Sequence, residues 1–221
     1  MHRIHITALL YFAALLWAVA LLASGIELTS QHARPLGVVG SALIGLVAVF
    51  DLWLWRLRWL HGWFVKRPFL QGTWAVTLQS DWKDPESGQG VGPIQAYLAV
   101  RQTYTSISLR LMTAESSSKM LGSDIVGFPD GLYVVTGVYQ AEPKLLVRHR
   151  SPIHYGAIVL NVRASPPDGL DGSYWTDRQT RGELFSTSYT RKVYDSFSRA
   201  ATAHTETKSV VPSEIQAADR T

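Results

Sequence analysis

The hydrophobic period of the chain changes near residue 68. From Ile6 to Ile26 runs a stretch of 21 residues without a charged side chain, enough to cross a bilayer core at about 1.5 Å per residue. A second apolar run, Leu36–Leu54, is broken only by Asp51. The link Glu27–Pro35 is short, so the two runs predict a helical hairpin with membrane spans at 6–26 and 36–55, inside a first domain of residues 1–67. A cleaved signal peptide fits less well. Ser24-Gly25-Ile26-Glu27 is a poor small-x-small cleavage site, and a second apolar run follows at once.

Cations orient the hairpin. Arg3 precedes the first run, and Arg56, Arg58, Lys66 and Arg67 follow the second, whereas the link carries only Arg34 beside Glu27. The positive-inside bias puts both ends, and everything after residue 67, in the cytoplasm. Trp53, Trp55, Trp59 and Trp63 then fall at the inner interface, where indoles prefer to lie. Gly37, Ser41 and Gly45 recur every fourth residue and allow close helix approach. Their partner is either the first span, where Ala14 and Ala18 have the same spacing, or a second copy. Asp51 either pairs with Arg56 or Arg58 at the interface or lines a polar path between spans.

Past Pro68 the period becomes two. Thr73–Ser80, Ile94–Gln102, Ser106–Met112, Ser118–Phe128, Leu132–Gln140, Ile153–Val162, Ser173–Arg178 and Leu184–Arg191 read as strands, separated by short Gly-, Pro- and Asp-rich links. No amphipathic helix intervenes. Eight up-and-down strands predict an all-β second domain, residues 68–194, closed as an antiparallel barrel, which removes sheet edges and leaves room for one small ligand. The opening Gly72-Thr73-Trp74 is similar to that of lipocalin-like barrels. The similarity implies that Trp74 plugs the base under an arginine of the last strand, here Arg191. From residue 195 to 221 the chain is small, polar and aperiodic, and predicts a disordered tail.

Composition narrows the chemistry. There are no cysteines, which excludes disulfides, thiolate metal sites and cysteine nucleophiles. The net charge is +4, but residues 69–194 hold 12 Lys/Arg against 11 Asp/Glu. A broad field for long nucleic acid is therefore absent, and an anion would be held by a few placed arginines. No Walker loop, nucleophile elbow or paired-histidine metal spacing occurs. The expectation is a non-enzyme without cofactor or metal.

Chemistry concentrates in "DGSYWTDRQTRGEL", Asp171–Leu184. Strand alternation puts Tyr174, Thr176 and Arg178 on one face and Trp175 and Asp177 on the other. A turn at Gln179–Gly182 would gather Arg178, Thr180 and Arg181 at one rim. Two readings stand. One is a plain hairpin with Asp177 and Glu183 paired to arginines. The other is a ligand mouth, since aromatic faces stack on purines and guanidinium forks match phosphate oxygens. Arg101, Arg110, Arg148 and Tyr155 lie where they could join it, if register turns them inward.

The chain resembles the two-transmembrane, β-strand-rich effectors of bacterial cyclic-oligonucleotide antiphage signalling (CBASS). The resemblance rests on the N-terminal helix pair, on Leu70–Trp82 with its "LQGTW" and "LQSDW", and on "HYGAIVLNV" followed by "LDGSYWTDRQTRGELFS" within His154–Ser186. It implies a barrel that binds a cyclic dinucleotide made by a companion nucleotidyltransferase. It also implies ligand-induced homo-oligomerisation and disruption of the bacterial inner membrane, with cell death. Carried to this chain, the motif points to Tyr174, Trp175, Thr176, Arg178, Thr180 and Arg181 as the ligand mouth. A membrane-anchored carrier of a lipid or small apolar molecule is the alternative. A barrel filled by its own side chains, serving only as an interaction module, is the third.

Overall fold

Eight antiparallel strands close in chain order into a barrel: β1 Gly72–Ser80, β2 Ile94–Gln102, β3 Ile107–Met112, β4 Ser116–Gly127, β5 Tyr133–Pro143, β6 His154–Arg163, β7 Gly169–Thr176 and β8 Arg181–Thr190. The computed structural model describes residues 30–84, 87–164 and 166–209, with eight positions between 11 and 23; for 30–39 and 207–209 it describes the backbone alone. The chain divides into two units, Met1–Lys66 with Thr103–Thr105, and Arg67–Gln102 with Ser106–Thr221.

In the first unit, helix α1 (Ser30–Leu52, 23 residues) covers most of the second expected span. The first expected span lies largely outside the described residues. Among the described residues no helix is long and apolar enough to cross a membrane. Asp51 serves a local purpose. Its carboxylate accepts the Thr105 N–H at 2.8 Å, and its carbonyl accepts the Tyr104 N–H at 3.0 Å.

In the barrel, alternation turns Val76, Leu98, Leu109, Ile125, Val135, Leu160, Leu170 and Leu184 into one buried core. Trp74 is 2% exposed and donates its indole N–H to the Leu70 carbonyl at 3.0 Å. Its expected cover differs. Arg191 is exposed, and Tyr189 takes the place, with ring centroids 4.4 Å apart and planes 40° apart. Tyr189 lies within the paired part of β8, whereas Arg191 follows its end. Gln102 ties the chain entry down: it accepts from the Leu70 N–H at 2.8 Å and donates to the Pro68 carbonyl at 2.9 Å.

The seam between β3 and β4 has one ladder pair, Met112 with Ser117. Serine side chains replace missing ladder bonds there. Ser118 accepts the Leu111 N–H at 2.9 Å, and Ser123 donates to the Ile107 carbonyl at 2.6 Å.

The expected disordered tail is corrected over much of its length. Helix α2 spans Phe197–Ser209, and its Phe197, Ala200, Ala201 and His204 face Tyr97 and its neighbours Ala75, Ala99 and Met112 on the outer barrel wall. The helical stripe at positions 197, 200, 201 and 204 is short and holds one large apolar residue, Phe197, beside two alanines and a histidine, which is why it reads as low in periodicity. Ending the chain after Tyr194 is expected to cost about 2–3 kcal/mol of stability, from uncovering Tyr97 and losing burial of Phe197 and Ala200. A thermal melt reads this as a lowered midpoint; an unchanged midpoint would mean that the helix adds nothing to the barrel.

The last hairpin also differs from expectation. Its loop is Asp177–Gln179, closed by Thr176 and Thr180, not Gln179–Gly182, with Gln179 in the left-handed region at φ 61°. The Thr176 N–H donates to the Thr180 carbonyl at 2.9 Å, and the Gln179 N–H to the Thr176 carbonyl at 3.1 Å, a three-residue loop with a bulge. Gly182 serves another purpose. A Cβ there would collide with the Gln79 carbonyl and the Tyr174 ring, so glycine lets β8 pass close to both.

Candidate functional site

In an up-and-down barrel, every odd-to-even connection emerges at the same rim. The β1–β2, β3–β4, β5–β6 and β7–β8 connections thus surround one mouth, opposite the end where Trp74 and Leu70 pack. Beneath this mouth lies a cavity of about 440 Å³. Its walls are apolar, with Leu78, Ile94, Leu98, Leu111, Met120 and Ile158 among them. Polar groups gather near the odd-to-even connections: Arg150, Ser151, His154, Thr176, Arg178 and Thr180. A barrel filled by its own side chains does not match this lumen.

Of the residues read from the sequence, Tyr174, Thr176, Arg178 and Thr180 line the cavity. The Thr176 and Thr180 hydroxyls lie 2.6 Å apart. Burial raises the Tyr174 phenol above its ordinary range, against the opposing effect of its bond to Ser80. The others point elsewhere. Trp175 is 51% exposed and Tyr155 is 49% exposed, both on outward positions of their strands. The Arg181 side chain is 83% exposed and holds Asp81, with Nε 3.3 Å from Oδ2. Arg101 and Arg110 are exposed positions of β2 and β3, and Arg101 lies near the far end of its strand. Arg148 is exposed and donates Nε–H to the Pro143 carbonyl at 2.9 Å. Asp177 accepts the Tyr155 N–H at 3.1 Å, rather than an arginine.

Arg178 is the electrostatic feature of the mouth. Its Nη1 donates to Ser151 Oγ at 3.2 Å and its Nη2 to His154 Nε2 at 3.3 Å. Its Nε is buried with no hydrogen-bond partner among the described residues. Burial lowers the affinity of this guanidinium for its proton, with Asp177, Tyr139 and Tyr174 opposing. A buried donor left unmade costs about 1–3 kcal/mol, so the cavity wall carries a partly desolvated cation.

His154 orients that guanidinium. Its Nδ1 donates to the Pro152 carbonyl at 2.9 Å, which leaves Nε2 bare to accept from Arg178. Burial holds its proton affinity below the ordinary value, and Arg178 lowers it further, while the Pro152 carbonyl and Asp177 act the other way. The unfolded chain therefore binds more protons than the folded one between the lowered value and about 6.5. Stability from neutral His154 is present in full above about pH 6.5 and is lost as pH falls through the folded value. Melts at pH 7.5 and 5.5 are expected to show a smaller acid loss in His154→Gln than in the wild type. Equal losses would remove this assignment.

Sequence reading passed over Arg150, Ser151 and His154 as site residues, and Tyr139 with them. His154 was recoverable: it shares the inward set with Gly156, Ile158 and Leu160. Arg150 and Ser151 lie in an irregular connection, which has no period to read.

A closed barrel with a largely apolar lumen and a half-buried guanidinium at its mouth has the form of a small-ligand receptor. The Cap15 cyclic dinucleotide receptor domain matches residues 65–188, more than half of the chain. The chain belongs to that family, the cyclic dinucleotide receptors among CBASS effectors. No curated protein matches it.

Proposed function

We propose that the chain is an antiphage effector whose barrel captures a cyclic dinucleotide through Arg178, oligomerises, and disrupts the bacterial inner membrane. The observation that carries the reading is the Arg178 guanidinium, half-buried at the cavity mouth with Nε unsatisfied among the described residues. A phosphodiester supplies the opposite charge, and its oxygens can take the Nη donors from the neutral Ser151 and His154. The bases then occupy the apolar lumen, beside Tyr139 and Tyr174.

The membrane step draws on the first unit. Leu43, Ile44, Leu46 and Val49 of α1 are exposed, as are Trp53, Trp59, Trp63 and Phe64 after it. Such an apolar surface ending in indoles suits a lipid phase and its interface. Messenger binding needs only to favour the oligomer over the monomer for the helices to cluster. The messenger is the product of a companion nucleotidyltransferase, and the barrel is cytoplasmic.

The apolar lumen also suits a carrier of an apolar molecule, but such a ligand brings no charge to meet the partly desolvated Arg178. Calorimetry on the full chain in detergent tests the two. The panel is cyclic di-GMP, cyclic di-AMP, cyclic GMP–AMP and cyclic di-UMP. Saturable binding of one member, with growth arrest on co-expression of its active synthase, supports the effector. No binding by folded protein, with co-purifying lipid, supports the carrier.

A further inference from the structure

Arg150 is the second guanidinium on the cavity wall, and it is occupied. Its Nη2 donates to both Glu115 carboxylate oxygens, at 2.7 and 2.8 Å. Its Nη1 donates to Asp84 Oδ2 at 3.3 Å. Each partner comes from a different connection. Asp84 lies in the β1–β2 loop, Glu115 in the β3–β4 turn and Arg150 in the β5–β6 loop. These are three of the four connections around the mouth, and the fourth carries Arg178. Ser151, next to Arg150 in sequence, is the residue that holds Arg178 Nη1.

The charges are the puzzle. Glu115 itself lines the cavity. One cation held by two carboxylates makes this side of the mouth net negative, although the expected ligand carries two negative phosphodiesters. Two ligand charges face one guanidinium, Arg178, whose Nη partners are the neutral Ser151 and His154. A guanidinium fork fits a carboxylate and a phosphodiester by the same geometry, two oxygens on two N–H groups. Either anion can therefore satisfy Arg150, but not both at once through the same donors.

We propose that Arg150 is the second phosphate-binding residue of this receptor and that Glu115, with Asp84, is its built-in competitor. The proposal rests on the cyclic dinucleotide reading of the cavity. Arg178 takes the first phosphodiester. The second displaces Glu115 and Asp84 from Arg150. Trading one charge-assisted pair for another returns little net free energy, so the carboxylates raise the messenger concentration at which the receptor fills. The exchange also unties three loops from one another, which gives ligand binding a structural consequence at the rim.

The test is a gain of affinity. The full chain in detergent is titrated calorimetrically with cyclic di-GMP, cyclic di-AMP, cyclic GMP–AMP and cyclic di-UMP, and the tightest wild-type binder is carried to the variants. Glu115→Gln is expected to bind about tenfold tighter and Asp84→Asn more tightly by a smaller factor, while Arg150→Gln binds about tenfold more weakly. Damage to the fold weakens binding, so tighter binding cannot arise from it. Unchanged or weaker binding in both carboxylate variants overturns the exchange, as does unchanged binding in Arg150→Gln. If no panel member binds the wild type, the receptor reading falls and takes this proposal with it. Wild-type binding without the gain removes only the proposal.

Discussion

Replacing Arg178 by Gln is expected to weaken cyclic dinucleotide binding by roughly 30- to 1000-fold, about 2–4 kcal/mol. The loss is large because the charge-assisted bonds form in a partly desolvated mouth, where solvent cannot substitute for them. Lysine should restore little, because an ammonium cannot present the planar fork. Stability should hold within a few degrees of the wild-type midpoint. The guanidinium costs desolvation and leaves Nε unsatisfied among the described residues. The neighbouring Arg181→Ala is the control: its side chain is turned out and paired with Asp81, so affinity should stay within about twofold, as for most exposed sites. Calorimetry on both variants decides. Comparable losses in the two would mean that the mouth is built differently.

Trp74→Ala is expected to have the largest effect on the fold itself. Truncating a buried aromatic costs about 3–5 kcal/mol, a large part of the 5–15 kcal/mol that holds a typical domain together. Three losses coincide: the buried ring, its contact with Tyr189 and the indole bond to the Leu70 carbonyl. Arg191→Ala, by contrast, should change stability by less than about 0.5 kcal/mol, because the side chain is exposed. Denaturant unfolding of both proteins checks the pair. A Trp74→Ala loss under about 1.5 kcal/mol, or an equal loss in Arg191→Ala, would refute the assignment of the plug.

Much of the barrel was legible because a period of two is a local signal. Each residue of a strand whose inner face is buried reports its own side, so Val76, Leu98 and Leu160 announce the core without reference to one another. The same period put Tyr174 and Thr176 on one face, and the cavity receives both; Arg178, expected on that face, lies in the turn after β7 and is held at the cavity by Ser151 and His154. Turn chemistry was a weaker guide. The turn expected at Gln179–Gly182 begins two residues earlier; the chain uses Gly182 for a close approach to β1 and Tyr174 and has its left-handed residue at Gln179.

The sequence by itself determined the strand order of the barrel, the inward face of the last hairpin and the family. These depend on residues near one another in the chain. Only the tertiary structure decided which cations face the cavity. Arg150 meets carboxylates 66 and 35 positions away, and Arg178 meets His154 across 24. Trp175 and Arg181, equally conspicuous in the motif, are turned outward by strand register. A charge in a loop carries no periodicity, so its direction is set by the partners that closure of the barrel brings to it.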